Sequence, residues 1–400
     1  MNLIRDERGQ TMIVTALCIA SLCGMAGFAV DVGTLFRAKR NLQTAADAAA
    51  VAGADESKYG DWKAAAKAAA AQNGITDGSG GATVTVNNPP SSGSHASGVE
   101  VIITVSEPTY FMKVFHLTSM NVSARAVAGL TAGSGCIYTL GTSGTDIGLT
   151  GTADLSMPNC GILVDSAASN AIRMTGSSGI TAQSIGIVGG YSTTGSASMN
   201  PSAVTGIAPA PDPLAFLSAP SFNAASCLAD PHITGSGSHT IGPAISGGTV
   251  CYNGLSITGS GAVTLNPGLY IINGGFSMTG SGSLTGSGIT FYLAAPTGSA
   301  SLSGSGALNV SAPTSGTYNG ILFFEDPSDS HAMTITGSGS SNIQGIFYAP
   351  SAALSMTGSS GANISADLVV GSLSMTGSSN FQNYSTINSS EPLQTAALTE

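Results

Sequence analysis

The chain has 400 residues, of which 54 are glycine and only 8% are charged, with a net charge of −10. Hydrophobic residues make up 42% of it, which excludes a disordered polymer, since disorder goes with low hydrophobicity and high charge. No Lys or Arg follows Arg173 although eight acidic residues do. The C-terminal region therefore has no electrostatic footprint for phosphate, and nucleic acid is excluded as its partner.

Residues 1–10 read as a short polar stub. Thr11 to Val30 carries no charge over 20 residues, close to the ~20 that cross a hydrocarbon core. Arg5, Asp6, Glu7 and Arg8 precede it and Arg37, Lys39 and Arg40 follow, so flanking charge does not orient it. A cleaved signal peptide has a shorter apolar core, usually about 7–15 residues. An uncleaved transmembrane helix over 11–30 is therefore expected. Helix-forming residues continue from Asp31 to Gln72, with a break at Gly60 and Asp61. Their narrow Ala-rich face suits close packing against another helix. Beyond it, Ala82–Val86, Val99–Ser106 and Asn121–Leu130 are expected strands. Tyr110 to Leu117 is expected as a short aromatic helical patch. His95 and His116 read as loop and surface residues.

Three separated motifs occur in order: Arg8-Gly9 before the apolar span, Ala29-Val30-Asp31-Val32-Gly33 at its end, and Leu42-Gln43-Thr44-Ala45-Ala46-Asp47 beyond it. Over roughly residues 5–55 this pattern resembles the N-terminal module of TadE/TadG-like Flp (Tad) pilus-assembly proteins. Gly9, Asp31, Gly33, Leu42, Gln43, Ala45, Ala46 and Asp47 carry the resemblance. It implies an envelope protein in the bacterial inner membrane, crossing once. Other Tad/Flp pilus-assembly membrane proteins or pilins are the implied partners. It also supports a pilin-like α/β unit over 31–130. Gln10 to Val14 contain no Glu, which argues against pseudopilin processing. Asp165-Ser166-Ala167-Ala168-Ser169 lacks the first Ser of a metal-dependent adhesion motif.

From Gly135 the helical period disappears. A phrase of an apolar residue, Thr or Ser, then Gly-Ser occurs nine times, at Met174, Ile233, Ile257, Met278, Leu284, Leu302, Ile335, Met356 and Met375. Its glycines run from 259 to 280 in 21 residues, from 337 to 358 in 21, and from 358 to 377 in 19. Short strands on a period near 20 residues predict a right-handed parallel β-helix, a solenoid. Its first part spans 131–200 and its main part 227–390, joined by a Pro-rich connection over 201–226. Residues 391–400 are a tail. Ile257, Met278, Leu302, Ile335, Met356 and Met375 are expected in one interior column, the methionines as core filler. Pro211-Asp212-Pro213-Leu214, Leu265–Tyr270 and Ala312–Gly316 also resemble the C-terminal regions of some TadG-like proteins.

Cys136 and Cys160 are 24 residues apart, as are Cys227 and Cys251. Equal intervals of about one turn predict two local disulfides in an oxidising compartment, with the C-terminal region in the periplasm or at the cell surface. Free buried thiols are the alternative. No CxxC pair supports zinc, and no cofactor or metal is expected. Glu325, Asp326 and Asp329 form an acidic cluster, read as a solvated loop or a weak calcium site. Paired carboxylates there would suit glycoside hydrolysis, which makes a carbohydrate-active hydrolase or lyase the alternative to a non-enzymatic protein. An adhesin unrelated to pili is the third reading. A surface glycan and a second copy of the chain complete the set of partners considered.

Overall fold

The computed structural model describes all residues except 1–6, 59–60, 92–97, 133–134, 338–341, 359–362, 383–393 and 400. Gly60, His95, Ser338 and Ser359 lie outside the described residues, as do parts of the expected stub and tail. The chain divides into two compact units, Met1–Thr131 with Thr395–Glu400, and Ala132–Gln394.

In the first unit, helix α1 runs from Glu7 to Asp55. Its 49 residues reach about 70 Å at 1.5 Å per residue. Helix α2 (Trp62–Gln72) starts at Asp61, whose side chain accepts from the Ala64 N–H, a capping arrangement that satisfies a free helix donor. Strands β1 (Thr83–Asn87), β2 (Val99–Pro108) and β3 (Ser119–Ala132) follow. They pair antiparallel in chain order. The strand Gln394–Leu398 joins β3 as the fourth member of this sheet, where the sequence suggested a tail. Leu42, Ala45, Ala46, Ala49, Ala50 and Ala54 of α1 share a core with Ala66 and Ala70 of α2 and with the valines and Ile103 of the sheet. Small side chains let these backbones approach. A Cβ at Gly53 would stand 2.9 Å from Val99 Cγ1.

The second unit is one large sheet whose described pairings are parallel. From Gly248 to Ser311 each strand pairs with the third strand after it, so the chain advances along three ladders. The first joins Gly248–Asn253, Gly268–Ile272, Ile289–Leu293 and Ile321–Glu325. The second joins Leu255–Gly259, Gly275–Gly280, Ser299–Gly304 and Met333–Gly337. The third joins Ala262–Leu265, Ser283–Gly286 and Leu308–Ser311. All three enter the long strand Asn342–Gly358, which pairs with Asn363–Gly377.

The second ladder puts Ile257, Met278, Leu302, Ile335, Met356 and Met375 in direct register, all buried. Leu284 belongs elsewhere: its phrase lies on the third ladder, between Val263 and Leu308. The column continues from Met375 to Leu149 and then Met174. The strands nearest the N-terminus of this unit, Gly135–Thr139 and Ile147–Gly151, thus pair onto its last long strand. Residues 135–205 extend the ladders beyond residue 377 rather than preceding residue 248.

The Pro-rich connection therefore returns along the sheet. The Ala210 N–H donates to Asp165 Oδ1 at 2.9 Å, Tyr348 Oη donates to Asp212 Oδ2 at 2.8 Å, and Tyr318 Oη donates to the Ser218 carbonyl at 3.1 Å. Phe222 meets the Tyr292 ring edge-on at 6.4 Å, and Cys227 bonds to Cys251. This strap covers a second aromatic column, Ile271, Tyr292, Phe324, Tyr348, Val369 and Tyr138. The strands beneath it are buried on both faces, and for that reason read as continuous apolar runs. Leu214 is fully buried in the covered cluster. Leu214→Ala is expected to cost about 2–4 kcal/mol, read as a lower melting temperature of the detergent-solubilised chain.

Candidate functional site

The N-terminal half of α1 differs from its C-terminal half in what covers it. Its most apolar 18-residue window has a mean hydropathy of 2.2 and is 6% buried. Met12, Leu17, Leu22, Met25 and Phe28, spread around the helix, are all at least 60% exposed. A helix of a soluble core hides one apolar face; a helix apolar all round needs an apolar surrounding. This stretch meets the length and composition of a membrane span.

The span ends at Asp31, which is fully buried. Its carboxylate accepts the backbone N–H groups of Tyr110, at 2.8 Å, and of Phe111 and Met112, at 2.9 and 2.6 Å. Three donors on one carboxylate clamp the 109–118 loop to the helix. Phe111 lies against Gly27, where a Cβ would stand 2.7 Å from its ring. The loop and the helix enclose a groove of about 650 Å³ lined mostly by apolar groups, among them Cys23, Phe28, Leu35, Val114, Phe115 and Met120. The expected aromatic patch is a 3-10 turn, Met112–Phe115, closed by exposed His116 in the left-handed region.

Further along α1, the Gln43 amide donates to Asp47 Oδ1 at 2.7 Å and to the Arg125 carbonyl of β3 at 2.9 Å. Leu42, Ala45 and Ala46 lie in the helix–sheet core. Gly33 has open space around it, and nothing in the structure explains a glycine there. The side-chain surroundings of Gly9 and Thr11 lie outside the described residues, and Val30 is exposed on the span. Beneath the sheet, Glu100 is fully buried. Burial pushes its carboxyl up, but hydrogen bonds from Ser91, Asn87 and Arg125 outweigh this and hold it down at about 2.

In the second unit both expected disulfides are present, Cys136–Cys160 and Cys227–Cys251, with Cα–Cα distances of 5.7 and 4.7 Å. Each joins neighbouring positions of a ladder. Beside the buried Met column stand two rows of hydroxyls. One is Ser256, Ser277, Ser301, Thr334, Ser355 and Ser374. The other is Thr258, Thr279, Ser303, Thr336, Thr357, Thr376, Thr150 and Thr175. They are half-buried to exposed. Strand geometry sets them roughly 4.8 Å apart along a row and roughly 6.7 Å apart between rows.

The acidic cluster is solvated only in part: Glu325 and Asp329 are buried, Asp326 is half-buried, and Ser328 and His331 are exposed. Glu325 ends a strand and stands in register with Leu293, a core residue, fully buried. Burial, with the Asp329 charge nearby, pushes its carboxyl up to about 8. Asp329 is 3% exposed and accepts from the Gly298 N–H and from His331. Asp326 accepts from Tyr292 Oη and from Ser328. The aspartates are held in turn-forming bonds, while the fully buried Glu325 carboxyl points into the strand core. Among the described residues no group of three His, Cys, Asp or Glu side chains could hold a metal ion.

Sequence reasoning picked out Asp31 as a motif residue but not its partner loop, 80 positions away. The prolines of 201–226 marked a connection but not its path back over the sheet. The available signal was the unalternated runs Ile289–Leu293 and Ile321–Glu325, which already demand cover on both faces.

Residues 9–56 match the family model Tad, described as TadE/G-like Flp pilus-assembly. No curated protein and no solved structure matches the chain.

Proposed function

We propose that the chain is a membrane-anchored, non-enzymatic structural protein of Tad/Flp pilus assembly. The observation that carries this reading is the coincidence, in one helix, of the Tad match over residues 9–56 with an apolar span left exposed except where Phe111 covers Gly27. The motif residues beyond the span do structural work, since Asp31 clamps a loop while Leu42, Gln43 and Ala45 fasten the helix to its sheet. In this reading residues 11–30 anchor the chain once in a bacterial inner membrane, and other Tad/Flp membrane proteins or pilins are its partners.

Residues 131–390 then form a right-handed parallel β-helix outside the cytoplasm. The pairing of each strand with the third after it, the shared registers and the near-universal right hand of parallel crossovers support that architecture. The two disulfides support the oxidising side. The paired hydroxyl rows, nearly free of charge, are the surface offered for assembly or adhesion, to a glycan or to a second copy. Deleting the gene is expected to reduce surface pilus number sharply, with recovery on re-expression. Unchanged pilus number by electron microscopy would remove the pilus reading.

A further inference from the structure

We infer that the loop Tyr110–Leu117 is a second membrane contact, inserted into the leaflet at the C-terminal end of the α1 span. The inference rests on the anchor reading above and adds to it a monotopic element. Position comes first. Phe111 packs on Gly27, three residues inside the end of the span at Val30, or roughly 4–5 Å below the hydrocarbon boundary at 1.5 Å per residue. The groove between loop and helix runs from Cys23 to Leu35 and so straddles that boundary.

Composition comes second. Tyr110, Phe111, Val114, Phe115 and Leu117 are each more than half exposed, Val114 and Phe115 at 78%. Water offers no reason to present five large apolar side chains together on one short turn. The interface does, because aromatic rings settle at headgroup depth. Lys113, on the same turn and 5.9 Å over the Tyr110 ring, supplies a cation for lipid phosphate, as do exposed Arg37 and Arg40 just past the span.

The backbone supplies an independent observation. Irregular chain cannot enter hydrocarbon unless its N–H groups are already paired. Here the Thr109, Tyr110, Phe111, Met112, Val114, His116 and Leu117 N–H groups all donate within the unit: to Thr118 O, three times to Asp31, then to Phe111 O, Lys113 O and Met112 O. Asp31 is thereby a positioning residue. Its charge sits where the span leaves the hydrocarbon, and the loop that satisfies it is the loop carried into the bilayer.

Depth-dependent quenching tests this on the full chain in phosphatidylcholine vesicles. In a Cys18→Ser, Cys23→Ser background, Phe115→Cys carries a bimane label. Ala20→Cys in the span and Ala68→Cys on exposed α2 are the references. The expected result is quenching of the Phe115→Cys label about twofold stronger by 5-doxyl than by 12-doxyl lipid, with weak iodide quenching. The Ala68→Cys label is quenched strongly by iodide and only weakly by either doxyl lipid. If Ala20→Cys is quenched by lipid while Phe115→Cys responds only to iodide, the loop lies in water: the inference fails and the anchor stands. Protection of Phe115→Cys from both quenchers would mean that protein covers the loop, which also overturns the inference. If Ala20→Cys itself escapes lipid quenching, the anchor reading fails with it.

Discussion

Gly304→Ala is expected to destabilise the second unit by more than ~4 kcal/mol, the range of a backbone clash added to a strained dihedral, and to leave most of the protein misfolded. Gly304 has φ 126°, and a Cβ there would stand 2.1 Å from the Gly280 carbonyl oxygen. That oxygen belongs to the backbone of the neighbouring strand, whose position is fixed by register with Leu255–Gly259 on its far side. It cannot swing away as a side chain would. The same contact recurs between Gly259 and Gly235, and between Gly176 and Gly151, so relief at one level would displace the next. Gly316→Ala is the control. Gly316 also has positive φ, 90°, but no atom within 4 Å of a Cβ. Its cost is expected to be only about 1–2 kcal/mol, the dihedral contribution alone. Melting curves of the two variants separate the contributions. Equal losses would mean that the close approach between strands carries no energy.

Glu325→Leu is expected to raise stability at neutral pH and to flatten its pH dependence. Glu325 occupies a position that Leu293 fills one strand earlier, and both its carboxyl oxygens lack a partner among the described residues. With the folded carboxyl up at about 8 and an unfolded value of 4.5, the folded state holds the proton more tightly. The favourable contribution is complete below pH 4.5 and is lost as pH rises towards 8. The slope is about 1.4 kcal/mol per pH unit within that window, on the order of 5 kcal/mol across it. Glu325→Gln removes the same slope without restoring apolar packing, and so should lie between wild type and Glu325→Leu. A residual slope below pH 7 belongs to Asp146, whose carboxyl burial pushes up to about 7. Chemical denaturation from pH 4.5 to 8 reads all three proteins. An undiminished slope in Glu325→Gln would show that Glu325 is ionised in the folded chain.

Both effects arise where local sequence and distant pairing meet, and the same boundary separates what the sequence discloses from what it does not. The span, the Ala-rich helix and the three N-terminal strands are periodic over consecutive residues, so they can be read directly. The Met column is legible too, because adjacent levels are about 20 residues apart and carry the same phrase. Its continuation from Met375 to Leu149 is not. Leu149-Thr150-Gly151 is followed by Thr152 rather than Ser and falls outside the phrase. A pairing across more than two hundred residues leaves no local trace. The strap is hidden for a related reason. Its prolines announce a connection but not a direction, and only the register of the first part after the last gives residues 201–226 a path back. Glu325 misleads in the opposite way. An acidic run with Pro and Ser resembles a solvated loop, yet the parallel register carries its first residue into an apolar column.

In the proposed topology α1 is an uncleaved anchor and the remainder of the chain lies outside the cytoplasm. The most direct measurement is alkaline phosphatase activity in carbonate-washed membranes of cells expressing the full chain with phosphatase fused after Glu400. High activity that stays with the washed membranes at full length is expected. Activity released by carbonate, or a membrane-bound fusion without activity, would contradict it.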